Sequence, residues 1–92
     1  MHGYKRSQGE HPLTVDLNRL RYRELVAARG WTTQVAQATA LGISQPTITR
    51  IVESGGRPGP RVIAALLAAF PRENFRNLFD IVEDAPTEQA AA

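Results

Sequence analysis

The chain contains no cysteine, which excludes disulfides, a thiolate nucleophile and any cysteine-based zinc site. Histidine is almost as scarce, with only His2 and His11 present. Two histidines nine apart among the first eleven residues make a poor metal site, so no metal ion is expected. There is no Ser/His/Asp set, no HExxH pattern and no phosphate-binding glycine loop. Gly55 and Gly56 lead into a proline-rich loop rather than to a P-loop lysine. Neither an enzyme nor a cofactor is expected. No apolar run approaches the ~18 residues that a membrane span needs. Residues 1–11 also lack the apolar stretch of a secretory signal. These absences lead to the expectation of a soluble, cytoplasmic protein with no membrane partner. Lysine is nearly missing too, with Lys5 alone beside ten arginines.

What is present is one small domain's worth of chain: 92 residues, 42% apolar and 22% charged, an ordinary globular balance. The charge is unevenly spread. Residues 1–61 hold nine bases against four acids, whereas residues 62–92 hold two bases against five acids. A basic end and an acidic end suit a polyanion on one side and solvent or a protein on the other. The arginine bias favours bidentate contact with phosphate or guanine. Residues 1–13 are nearly free of aliphatic side chains and are expected to form a flexible arm. Residues 85–92, polar and then all alanine, are expected to form a disordered tail. The domain proper is placed at 14–84.

Within it the periodicity predicts five helices and no strand. The first runs over about 15–29, with Leu17, Leu20 and Leu25 on its apolar face, and stops at Gly30. Thr32 or Thr33 can cap a second helix over 34–41, with Val35 and Ala38 inward and Gly42 at its end. A third, over about 45–53, carries Ile48, Ile51 and Val52 at the spacing of a buried face. The SGGRPGP segment, 54–60, can only be a loop. A fourth helix follows with Val62, Ile63, Leu66, Leu67 and Phe70 as a broad core stripe. After Pro71 a fifth shows Phe75, Leu78, Phe79 and Val82 at i, i+3, i+4 and i+7. The expected fold class is all-α.

Residues 32–52, TTQVAQATALGISQPTITRIV, carry the functional signal. A short helix with Ala36, Ala38 and Ala40 reaches a Gly-Ile-Ser turn and then a second short helix. Small side chains permit close crossing, Gly42 can supply a positive φ, and Ile43 can plug the corner. This is the physical description of a helix-turn-helix, whose second helix enters the major groove. On RGWT (29–32), the TQ at 33–34, LGIS (41–44), QPTITRI (45–51) and the following GRP, the chain resembles the lambda-repressor-like, XRE-type regulators. The resemblance spans about residues 17–82. It implies a compact five-helix DNA-binding domain in which Gln34 bonds a phosphate and braces Gln45, which reaches a base edge. The chain departs from the family pattern at four places. It has two threonines before Gln34 and lacks a large apolar residue near Gln37, for which Val35 is the nearest substitute. The family's glutamate after the third helix is displaced to Glu53, and the loop holds an extra glycine.

Opposite the Ile48/Ile51/Val52 stripe, Pro46 and Arg50 point outward, flanked by Thr47 and Thr49. Gln45 can pair with adenine, Arg50 with guanine or a phosphate, and Pro46 or the Thr49 methyl with a thymine methyl. Either Gln45 or Ser44 can cap this helix, since Pro46 has no amide to give. Arg57 and Arg61 flank the Gly/Pro loop where such domains touch the DNA backbone. The expected DNA-binding set is therefore Thr33, Gln34, Ser44, Gln45, Pro46, Thr47, Thr49, Arg50, Arg57 and Arg61. Lys5 and Arg6 could extend it as a groove-seeking arm, although stray charge is the simpler reading. Trp31 reads as core packing. Phe75, Phe79 and Val82 on the fifth helix are expected to join a homodimer. The expected function is a sequence-specific regulator of double-stranded DNA, a repressor at an operator. The rival is an antitoxin-type module whose acidic C-terminal region binds a protein partner.

Overall fold

Residues 12–83 are described by a computed structural model, and they open with a strand rather than a helix. β1 (Leu13–Leu17) is followed by α1 (Arg19–Ala28), α2 (Gln34–Leu41), α3 (Gln45–Val52), α4 (Pro60–Ala69) and α5 (Phe75–Leu78). The described residues close with β2 (Phe79–Glu83). The two strands pair antiparallel, with Leu13 opposite Glu83, Val15 opposite Ile81 and Leu17 opposite Phe79. The expectation of an all-α fold is thus overturned: this is a helical domain closed by a two-stranded sheet. Leu13, assigned to the arm, opens β1. The rest of the expected arm except Pro12, and the whole expected tail 85–92, lie outside the described residues.

Local chemistry accounts for both strands. Asn18 stands in extended geometry and its side chain accepts the Arg21 amide, so α1 starts at Arg19 and cannot absorb residues 15–17. The Asn18 amide donates to the Leu78 carbonyl at 2.8 Å, which carries the strand pairing on by one residue. Asn74 caps α5 in the same way, accepting the Asn77 amide. That helix ends after one turn because Phe79 is extended, at φ −135° and ψ 149°. The expected fifth helix through Val82 is therefore four residues of helix and five of strand. From Phe79 onward its residues, save the two acids, are β-branched or aromatic, and such side chains suit a pleated surface.

Leu17 and Phe79 face each other on the inner side of the sheet and are buried. They join Tyr22 and Val26 of α1, Leu41 of α2, Ile48, Ile51 and Val52 of α3, Val62 and Leu66 of α4, Phe70 and Leu78. On α1 the buried face is therefore Tyr22 and Val26, with Leu25 partly buried, whereas Leu20, expected inward, is 69% exposed. Because α1 starts at Arg19, Leu17 lies on β1 and shares no helical stripe with Leu20. Trp31 packs on the core as expected, its ring 5.7 Å from that of Phe70 and tilted to it.

On α2 the residue facing inward is a glutamine. Gln37 is buried at 8% exposure, while Val35, expected to fill that role, is 58% exposed. The interior accepts Gln37 because both ends of its amide are used. The Tyr22 hydroxyl donates to Oε1 at 2.6 Å, and Nε2 donates to the Trp31 carbonyl at 3.1 Å. Burial also pushes the Tyr22 hydroxyl up to about 12, still further from ionising at neutral pH. A buried polar pair of this kind is nearly neutral when whole and costly when halved. Gln37→Leu is expected to destabilise the domain by about 1–3 kcal/mol in urea denaturation by orphaning Tyr22. Adding Tyr22→Phe should return much of that loss. A double variant no more stable than Gln37→Leu would mean that packing, not the orphaned hydroxyl, sets the cost.

Candidate nucleic-acid interface

The turn between α2 and α3 is held by backbone geometry that its sequence dictates. Gly42 sits at φ 70° and ψ 32°, the left-handed region where a Cβ is disfavoured. The next amide, of Ile43, donates to the Ala38 carbonyl at 3.1 Å, and the Ile43 side chain packs on the core. Ser44 is extended and its side chain caps α3 by accepting the Thr47 amide. The cap is therefore Ser44, with Gln45 and Pro46 as the first two helical residues. Thr33, not Thr32, caps α2 through the Ala36 amide at 3.0 Å.

α3 is sharply two-sided. Ile48, Ile51 and Val52 are buried, while Gln45, Pro46 and Arg50 are exposed and Thr47 and Thr49 half-buried. The structure thus gathers Ser44, Gln45, Pro46, Thr47, Thr49 and Arg50 on and beside one outward helix face. Among the described residues the Gln45 side chain makes no hydrogen bond, so its amide is open to a ligand. The Ser44 and Thr47 hydroxyls are 2.8 Å apart and bonded to each other.

Gln34 is bonded to α3 at a place other than Gln45. Its Oε1 accepts the Thr49 hydroxyl at 2.5 Å and its Nε2 donates to Glu53 at 3.0 Å. The amide clasps the far half of α3 rather than bracing Gln45. Glu53, just past the end of α3, is the acceptor at that end. Gln34 and Glu53 also line a groove of about 360 Å³ with Arg23 and Trp31. Arg23 is exposed; composition gave no means of singling it out from its neighbours Arg19 and Arg21.

Those two neighbours are engaged inside the domain. Arg21 pairs with Glu73 at 2.7 Å and Glu24 at 2.9 Å, and these bonds raise its pKa further. Arg19 fastens the site from behind. Its two terminal nitrogens meet the two Asp16 oxygens, each at 3.1 Å. Its Nε donates to the Ile51 carbonyl at 2.8 Å, and its Nη2 donates to the Gly56 carbonyl at 3.2 Å. Arg57, expected to face a phosphate, lies 3.4 Å from the same Asp16 carboxylate. Arg61, at the start of α4, is exposed. Lys5 and Arg6 lie outside the described residues.

The expected dimer face is not a helix face. Phe79 is wholly buried in the core, and Phe75 packs against it with the rings 5.0 Å apart. Val82 sits half-buried on β2 opposite Thr14. A strand now carries two of the three residues, so no common surface on a fifth helix exists for a partner to meet.

Burial pushes the Asp16 carboxyl up, but the Arg19 hydrogen bond and the charges of Arg19 and Arg57 outweigh it, leaving a lowered pKa. The Arg21 hydrogen bond, opposed by desolvation, likewise lowers Glu73. A depressed folded-state pKa contributes stability that is present above the ordinary carboxylate value, about 4, and lost as pH falls through the folded value. The urea midpoint should therefore fall steadily from about pH 4.5 downward. Asp16→Asn should lower the midpoint at pH 7 and make that acid fall shallower. An equally steep fall in the variant would show that Asp16 does not carry it. No family model, curated protein or solved structure matches the chain.

Proposed function

We propose that the chain is a sequence-specific transcriptional regulator that lays α3 in the major groove of double-stranded DNA, a repressor acting at an operator in the cytoplasm. The observation that carries this reading is the polar row on α3. Gln45, Pro46, Thr49 and Arg50 face outward from a helix whose other side is fixed by three core residues. Such a helix can be pressed into a groove without losing its own support. Gln45 at its start matches the adenine N6/N7 edge, and Arg50 one and a half turns on matches guanine O6/N7. Exposed Arg61 suits a phosphate beside the groove, where contacts set register without reading sequence. One α3 covers few base pairs, so a two-fold dimer on half-sites about one helical turn apart is the expected operator arrangement.

Selection from random duplex DNA at near-physiological salt should enrich a motif, in inverted repeat if the dimer forms. Arg50→Ala or Gln45→Ala should cost about 1–3 kcal/mol on that motif and relax preference at one base pair each. Arg61→Ala should weaken all duplexes alike and flatten the salt slope by about one. Retention without a motif would leave only architectural binding. An absence of retention, with Arg50→Ala inert, would remove DNA from the function and favour a protein partner.

A further inference from the structure

Gly56 follows α3 by four residues, and its backbone does not require glycine. The positive-φ glycines among the described residues are Gly30, Gly42 and Gly55. What Gly56 provides is the missing Cβ, because Arg50 fills that space. A methyl there would stand 2.6 Å from Arg50 Nη1, 2.8 Å from its Cγ and 3.1 Å from its carbonyl oxygen. Carbon atoms pack at about 3.5–4.0 Å. The tip of an arginine can swing aside, but Cγ moves only when the whole side chain leaves its rotamer. Any residue larger than glycine at 56 therefore moves Arg50.

The seat is also tied down. The Gly56 amide donates to the Arg50 carbonyl at 2.8 Å, and Arg50 Nη1 donates to the Arg57 carbonyl at 3.4 Å. From the other side, the Gly56 carbonyl accepts from Arg19, which is itself clamped to Asp16. A continuous path thus runs from β1 through Arg19 and the loop to the outward arginine of α3. We propose that Gly56 is a specificity-determining position: it seats Arg50 in one posture, so that the guanidinium meets its base pair with little rotamer freedom left to lose. This rests on the DNA-binding reading above. Gly56 acts through Arg50 and touches no base itself, so it is a positioning residue.

The test is a double-mutant cycle of Gly56→Ala and Arg50→Ala on the selected motif and on an unrelated duplex at fixed salt. Gly56→Ala is expected to weaken motif binding about two- to tenfold, the cost of re-immobilising one long side chain. It should relax preference at the same base pair that Arg50→Ala relaxes, and leave the unrelated duplex within about twofold. In the Arg50→Ala background, Gly56→Ala should add nothing. An equal loss in both backgrounds would overturn the proposal and leave a loop defect. Tighter motif binding by Gly56→Ala would also overturn it, because the seat would then be a parked posture. A measurement without DNA separates the seat from the function. Nitrogen relaxation of the Arg50 Nε–Hε group should show a restrained side chain in the wild type and a mobile one in Gly56→Ala. A mobile Arg50 in the wild type would sink the seat whatever the DNA results. A restrained Arg50 whose removal leaves motif binding unchanged would uphold the seat and reject the DNA reading.

Discussion

The Arg19 guanidinium holds together parts of the chain that have little else in common. Its planar fork meets Asp16 with two nitrogens, and Nε reaches across to the Ile51 carbonyl near the end of α3. The last carbonyls of a helix have no partner within it and carry a partial negative charge, so a cation there satisfies both needs. A third direction is fixed by the Gly56 carbonyl. Lysine would not reproduce this, because its donors sit on one nitrogen and lack the planar fork that spreads them toward Asp16, Ile51 and Gly56. In a domain this small, with limited apolar surface to bury, such cross-links set the orientation that a larger core would otherwise set.

Much of the arginine content is spent inside the domain. Arg19 and Arg57 converge on Asp16, Arg21 on Glu73 and Glu24, and Arg29 on the Ala69 carbonyl while lying over the rings of Trp31 and Phe70. The uneven charge of the chain therefore overstates the field that a polyanion would meet. Among the described residues, Arg23, Arg50, Arg61, Arg72 and Arg76 are the exposed arginines with neither an ion pair nor a ring contact. Only the first three belong to the α1–α4 segment around α3. The site's positive charge is focused rather than broad, which favours discrete contacts over a general basic skin.

The half of the fold that was legible in the sequence is the half built from local rules. Ile48, Ile51 and Val52 have one periodic reading, Gly42 one conformational use, and SGGRPGP no helical option, so α2, the turn, α3 and the loop follow from neighbours in the chain. The sheet does not, because it joins Leu13 to Glu83, seventy residues away. Phe75, Leu78, Phe79 and Val82 satisfy helical spacing as well as any core stripe, and nothing local reveals that Phe79 turns extended. The caps were the missed signal: Asn18 and Asn74 each stand before a helix whose start they fix. Gln37 was hidden for a different reason, since a buried glutamine can be read only once its partners Tyr22 and Trp31 are known.

These features bear on how α3 could read a sequence. A helix of eight residues is not stable alone in water, so its order comes from the three core residues, the Ser44 cap and the arginine at its end. All of these act from behind or from the ends and leave the outward face unconstrained. Gln34, itself held by Glu53, takes the hydroxyl of Thr49, leaving the threonine methyl as the group best suited to an apolar partner. Arg50 alone among the outward side chains rests on the loop, through Gly56 and the Arg57 carbonyl. Among the described residues Gln45, by contrast, is held by nothing but its place in the first turn. On the proposed DNA reading, a seated arginine and a free glutamine on one helix would divide the work physically. The first would reject a wrong base because it could not follow it, whereas the second would adapt to what it meets.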